Sequence, residues 1–191
     1  MKKADKLSLF FANEFPFNKE GLEEFTNAFN SLSYKKGDII LRNGAIENEL
    51  RFLDKGIVRE YYSTKDKEKN INFYTQEGFI TDFFSFMHSS DTRKNQECLT
   101  DIEIRTLSKT DFLVFLDKYD CGKEFVNTIF QRVVAQKEAE EFNHFINTAE
   151  ELYLDIMNSQ PNWLLHIPQY HIASYLGITP ETLSRIRKRI S

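Results

Sequence analysis

Residues 167–190 read IPQYHIASYLGITPETLSRIRKRI, and this stretch decides how the chain is read. Pro168 suits the first turn of a helix, where its missing N–H is not needed. Ile172, Ala173 and Leu176 follow as an apolar face, and the small Ala173 lets a second helix come close. Gly177 supplies the left-handed turn that ends the first helix. Thr179 then caps a second helix, with Pro180 at its first position. Leu183, Ile186 and Ile190 are spaced three and four apart and face the first helix. Glu181, Ser184, Arg185 and Lys188 form the opposite face.

Those side chains suit nucleic acid. Arginine can donate two bonds to guanine, glutamate can accept from the cytosine amino group, and serine can serve either role. Glu181, Ser184 and Arg185 are therefore expected to read bases. Arg187, Lys188, Arg189, Thr179, Thr182, Gln169 and Tyr170 are expected to hold phosphates. His171 is open between a phosphate contact and a place in the core. Two helices, a glycine turn and a polar face predict a DNA-binding helix-turn-helix. The bland alternative is an amphipathic hairpin with a solvated basic face. Charge favours the first: residues 179–191 carry four cations against one acid, while the whole 191-residue chain has a net charge of −4.

Working back from this stretch, Ser159-Gln160-Pro161-Asn162 reads as a linker, and residues 149–158 as a short helix. Residues 122–147 contain no proline and no internal glycine, and predict one long helix. Val126, Ile129, Val133, Gln136 and Glu140 form a heptad-like stripe along it that starts apolar and ends polar. The stripe suits a dimer contact, or packing against the chain's own first domain. Before it, Ser108 and Asp111 can cap a helix running to Tyr119.

From Ser31 to Leu107 the pattern changes to short β-type runs: 39–41, 50–53, 57–62, 71–74, 79–87 and 102–107. Polar stretches at 63–69 and 88–96 read as loops. Gly37, Gly44, Gly56 and Gly78 suit turns. Many short strands at about ten-residue spacing read as an antiparallel barrel or roll. Residues 5–30 look helical, with Leu9, Phe10, Phe17, Leu22, Phe25 and Phe29 in register and Pro16 as a break. The 18 phenylalanines imply an aromatic core or a covered apolar groove. The expected fold class is thus α+β: a β-roll domain over 1–120, a dimerisation helix over 121–147 and a helix-turn-helix domain over 148–191.

The constellation resembles the CRP/FNR family of bacterial transcription regulators. Ala173, Gly177 and Leu183 match the family's small, glycine and apolar positions. Glu181-Thr182-Leu183-Ser184-Arg185 is similar to the Glu-x-x-Ser-Arg reading pattern of the FNR-like branch, which implies a TTGAT-like half-site. Pro180 stands where the CRP-like branch commonly has arginine. Lys36-Gly37-Asp38, Gly44 and Gly56-Ile57-Val58-Arg59 resemble the glycine framework of the family's cyclic-nucleotide-type roll. The family's winged helix has a β-wing after the recognition helix, and this sequence carries little of it.

The resemblance implies a homodimer on double-stranded DNA, contact with RNA polymerase, and an unknown small-molecule effector at the roll. Nucleotide-binding members hold the ribose with a glutamate and the cyclic phosphate with an arginine. Here Asp82 falls near the first position. Arg93 falls one place from the second, which is occupied by Thr92, and on a strand one place turns a side chain to the opposite face. Asp82 and Arg93 are the candidate ligand residues, with a loop cap as the plainer role for Asp82. The cassette argues against a cyclic nucleotide, and no cofactor is expected. An iron–sulfur cluster is not expected either, because the N-terminal segment has no cysteine. No metal is expected: His88, His144, His166 and His171 have no partners at ligand spacing, and Cys98 and Cys121 lie far apart. A cupin-like enzyme would need a histidine or carboxylate cluster on the strands, so no catalytic residue is assigned. No apolar run is long enough for a membrane span, and the start lacks the form of a secretion signal, so a cytoplasmic location is expected. The remaining alternative is a regulatory interaction module with a degenerate roll and no DNA binding.

Overall fold

The alternation of apolar and polar residues at period two carries the middle of the chain into strands. A computed structural model describes residues 5–14, 19–119 and 122–190. Two helices, α1 (Lys6–Glu14) and α2 (Lys19–Asn27), precede the roll. Its strands are β1 (Asn30–Tyr34), β2 (Ile39–Leu41), β3 (Glu49–Lys55), β4 (Val58–Ser63), β5 (Glu68–Tyr74) and β6 (Gly78–Phe79). The short helix α3 (Phe83–His88) follows, then β7 (Lys94–Cys98) and β8 (Ile102–Ser108). Two four-stranded antiparallel sheets result, in the orders β1-β8-β3-β6 and β2-β7-β4-β5.

Strand alternation sorts the roll into an outside and an inside. On β3, Leu50 and Phe52 pack outward into an aromatic cluster with Phe11, Phe25, Phe29, Phe86 and Phe112. Phe11 and Phe25 meet edge to face at 4.6 Å, the arrangement the ring quadrupoles favour. Leu53 points the other way, into a smaller core with Val58, Ile80, Cys98, Ile102 and Ile104. Gly56 is the turn that most needs glycine. Its φ is +101°, and a Cβ there would meet the Asp101 carbonyl at 2.5 Å.

The structure departs from the sequence expectations at five places. The run 79–87 is not one strand, because β6 ends at Phe79 and Phe83–His88 turns into a helix. The polar stretch 88–96 is not all loop: Lys94–Cys98 is a strand because it pairs with both β2 and β4. In the same way Glu68 and Lys69 join β5 through pairing with β4. Residues 159–162 are not a linker, since Pro161 starts the helical turn Pro161–His166. Gly78 does not take a positive φ and instead begins β6.

Helix α4 (Lys109–Lys118) starts as expected: the Ser108 hydroxyl accepts the Asp111 N–H at 3.1 Å. The long helix α5 (Gly122–Ile146) follows. The side chains of Val126, Ile129 and Val133 lie outside the described residues. Near its end Phe142 and Phe145 are exposed, Phe145 at 91%. Helix α6 (Ala149–Ser159) opens with a reciprocal capping box between Thr148 and Glu151. Helices α7 (Pro161–His166), α8 (Gln169–Leu176) and α9 (Pro180–Ile190) complete the chain. Their shared core holds Leu152, Ile156, Trp163, Ile172, Ala173, Leu183 and Ile186, together with Phe73 from β5.

Candidate functional site

Helices α8 and α9 form the pair that the sequence predicts. Gly177 takes φ +72° and its N–H closes the end of α8. Thr179 caps α9: its hydroxyl accepts the Thr182 N–H at 3.3 Å and lies 3.2 Å from the Thr182 hydroxyl. Ala173, fully buried, sits where the two helices meet Leu183 and Ile186. The face pointing away from this core carries Glu181, Ser184, Arg185, Arg187 and Lys188, all exposed. Arg185 and Lys188 make no salt bridge within the described residues. The Glu181 carboxyl is held below its ordinary range by its own backbone N–H and by the Thr179 hydroxyl at the helix start.

Gln169, Tyr170 and Thr179 are also exposed, near the two helix starts. Arg189 differs from its neighbours: its guanidinium is paired with Glu150 of α6 at 2.5 Å. That pair spans an open cleft of about 510 Å³ lined by Thr148, Glu150, Thr182, Arg185, Ile186 and Arg189. One wall of the cleft is therefore the i, i+3, i+4 and i+7 face of α9.

His171 belongs to the core rather than to the exposed surface. It is 7% exposed and packs under β5. The Asn70 amide nitrogen lies 3.1 Å from His171 Nδ1 and 3.2 Å from the His171 carbonyl. Arg59 donates to Asn70 Oδ1 at 3.2 Å, which fixes the amide orientation. The amide nitrogen can then only donate, so Nδ1 must accept and be unprotonated. Burial, and then the Arg59 charge, push the His171 pKa down to about 4. Arg59 itself is held by Glu97 at 2.6 Å and Glu68 at 2.9 Å. Ser174 adds a second tie, with the Asn70 N–H donating to its hydroxyl at 3.1 Å. These contacts cross about a hundred residues of sequence and dock the terminal helices on the outer face of the β4–β5 hairpin.

The inner face of the same sheet is polar as well. Asp82 is 5% exposed, and its partners are Thr92, whose hydroxyl donates at 2.6 Å, and Lys94 at 3.4 Å. Lys94 also faces Glu60 at 3.5 Å. Gln96 donates to Glu60 at 3.0 Å and to the Ile80 carbonyl. Glu47 is fully buried beside Arg51, with an ion pair at 2.9 Å, and burial raises its pKa. Arg93 is exposed on the loop, so the structure does not bring it to Asp82. Thr92 and Lys94 take the inward positions on either side of it. Lys94, Glu60 and Gln96 were not legible as site residues, since the first and last fall in a stretch that reads as a polar loop. Among the described residues no group of three or more His, Cys, Asp or Glu could hold a metal ion. No described helix is long and apolar enough to cross a membrane.

Comparison with known proteins places this fold. The cyclic nucleotide-binding domain family matches residues 31–119, the roll together with α4. Solved structures with the same fold include CRP/FNR-type transcription regulators. A mutant of CooA from Carboxydothermus hydrogenoformans superposes with a TM-score of 0.66 at 16% identity, covering 98% of this chain and 84% of that one. CLP of Xanthomonas campestris, a c-di-GMP responsive global regulator, gives 0.65 at 14% identity, with 91% of each chain covered. FixK2 of Bradyrhizobium japonicum gives 0.63 at 18% identity, covering 85% of this chain and 84% of that one. At such identities the likeness is one of fold. A search of curated proteins by sequence finds no match.

Proposed function

We propose that this chain is a DNA-binding transcription regulator of the CRP/FNR type, acting as a homodimer. The observation that carries the reading is the division of α9. Leu183 and Ile186 are buried against α8, while Glu181, Ser184, Arg185 and Lys188 stand exposed along the other face. Helices 169–176 and 180–190 act as a helix-turn-helix, with α9 in the major groove. Glu181, Ser184 and Arg185 read base edges. Thr179, Thr182, Gln169, Tyr170, Arg187 and Lys188 hold phosphates, and Arg189 joins them when it leaves Glu150. Two such helices enter successive major grooves about 34 Å apart on a pseudo-palindromic site. Helix α5 is the dimer contact, which gives its exposed Val134, Phe142 and Phe145 a partner.

The roll acts as a regulatory domain whose interior does not fit a cyclic nucleotide. A cyclic phosphate would meet Asp82 and Glu60, and the ammonium of Lys94 is already shared between them. An effector at the roll is therefore a different small molecule, or the roll transmits a signal from another partner.

Selection of bound sequences from a random DNA pool at near-physiological salt tests the reading. Enrichment of a two-fold symmetric site with TTGA-like halves supports it. Arg185→Ala should then lose roughly 1–3 kcal/mol of affinity, concentrated at one guanine position. An equal loss on every sequence would sink the base-reading assignment. No enrichment, with or without metabolite extract, would favour an interaction module without DNA binding.

A further inference from the structure

The β4–β5 hairpin reaches the turn between α8 and α9 and carries an ammonium group to it. Ser174 lies against the hairpin backbone: its hydroxyl donates to the Glu68 carbonyl at 3.3 Å and accepts the Asn70 N–H at 3.1 Å. Lys69 lies between these two anchored residues. Its Nζ comes within 3.9 Å of where a side chain at Gly177 would begin. Gly177 has no side chain, so the space beside the turn is open to the lysine. Lys69 is exposed and makes no salt bridge within the described residues. The nearest acid in sequence, Glu68, is engaged by Arg59 at 2.9 Å.

We propose that Lys69 is a DNA phosphate contact supplied by the roll, extending the surface of α8 and α9 across the domain boundary. The inference rests on the DNA-binding reading above. A duplex seated on α9 brings its backbone to the helix start at Thr179, two residues beyond Gly177. The backbone N–H groups of a helix start attract phosphate, and a neighbouring ammonium adds to that attraction. The contact carries no sequence information, because it touches only the backbone. It also makes affinity depend on docking: only when Asn70 and Ser174 hold the terminal helices on the roll is Lys69 beside the turn. A cation near the end of α8 also favours the helix dipole, so the test separates that structural effect from a phosphate contact.

The test uses the full chain and a labelled duplex carrying its selected site. Binding is measured by fluorescence anisotropy over a series of salt concentrations. Lys69→Ala should weaken binding about 3- to 10-fold at low salt, by a similar factor on specific and random duplexes. It should also flatten the plot of log K against log salt by about 0.9, the slope of one lost phosphate contact. Lys69→Arg should restore both. Lys55→Ala, on the other sheet and paired with Glu103 at 3.7 Å, should change neither. An unchanged slope for Lys69→Ala, beside a flattened one for Lys188→Ala, would overturn this proposal and leave the DNA-binding reading standing. A lowered melting temperature with an unchanged slope would show a helix-stabilising role and likewise overturn it. Absence of salt-dependent binding by the unsubstituted protein would overturn both.

Discussion

Acidification should release the terminal helices from the roll, and His171 sets where. In the docked state its pKa is about 4, against an ordinary value of 6.5. At roughly 1.36 kcal/mol per unit, that difference corresponds to about 3 kcal/mol. The sign follows from proton counting. Between pH 6.5 and 4 the undocked or unfolded chain binds a proton on His171 that the docked chain does not. Docking is therefore strongest above pH 6.5, weakens steadily as pH falls towards 4, and levels off only below that, where His171 is protonated in both states. Protonation also places an N–H on Nδ1 against the Asn70 amide, which can only donate, so the 3.1 Å contact becomes repulsive. The charged groups facing the ring are Arg59 on β4, Glu68 on β5 and Glu97 on β7; Arg59 lowers the pKa and the two acids raise it.

Trp163, the single tryptophan, reports on this event directly. Its ring lies 5.0 Å from Phe73 of β5 and 5.1 Å from Tyr175 of α8, and it is 6% exposed. Its emission should shift to the red as pH falls from 7 to 4.5, and the shift should be absent or much reduced in His171→Gln. The difference between the two proteins removes the contribution of carboxylates that titrate near pH 4. If NMR shows His171 titrating near 6.5 while the Trp163 emission stays blue, the argument from burial is wrong.

Glycine substitutions should separate strain from collision. Gly56→Ala adds a collision with the Asp101 carbonyl at 2.5 Å to a φ of +101°, whereas Gly177→Ala at φ +72° finds its nearest neighbour at 3.9 Å. In urea denaturation Gly177→Ala should cost about 1–2 kcal/mol, the left-handed penalty alone, and Gly56→Ala clearly more; equal losses would refute the distinction. Lys94→Met should destabilise the roll by roughly 3–5 kcal/mol, because it leaves Asp82 and Glu60 buried and unpaired. Adding Asp82→Asn should recover part of that loss in a double-mutant cycle, and strict additivity of the two substitutions would argue against direct coupling.

Features whose cause is local follow from the chain alone. The caps at Ser108 and Thr179, the left-handed Gly177 and the i, i+3, i+4 spacing of the apolar residues in α9 depend on residues within one or two turns. They could be read before any contact was known. The division of α9 into a buried and a polar face was legible for the same reason.

Features that depend on pairing between distant segments are set only in the folded molecule. Lys94-Asn95-Gln96 is polar enough to read as a loop, and becomes β7 only because β2 and β4 flank it and complete its backbone hydrogen bonds. That pairing turns Thr92 and Lys94 inward and Arg93 outward, and so decides which residues line the roll. His171 sits between Gln169 and Tyr170 in a stretch that suits phosphate, yet it is buried because Asn70, about a hundred residues away, supplies its hydrogen bonds. Lys69 has no local signal at all. Its place beside Gly177 exists because Ser174 bridges the backbone on both sides of it. Periodicity and capping act over a few residues of chain, whereas burial and charge pairing act across space, and only the folded chain brings their partners together.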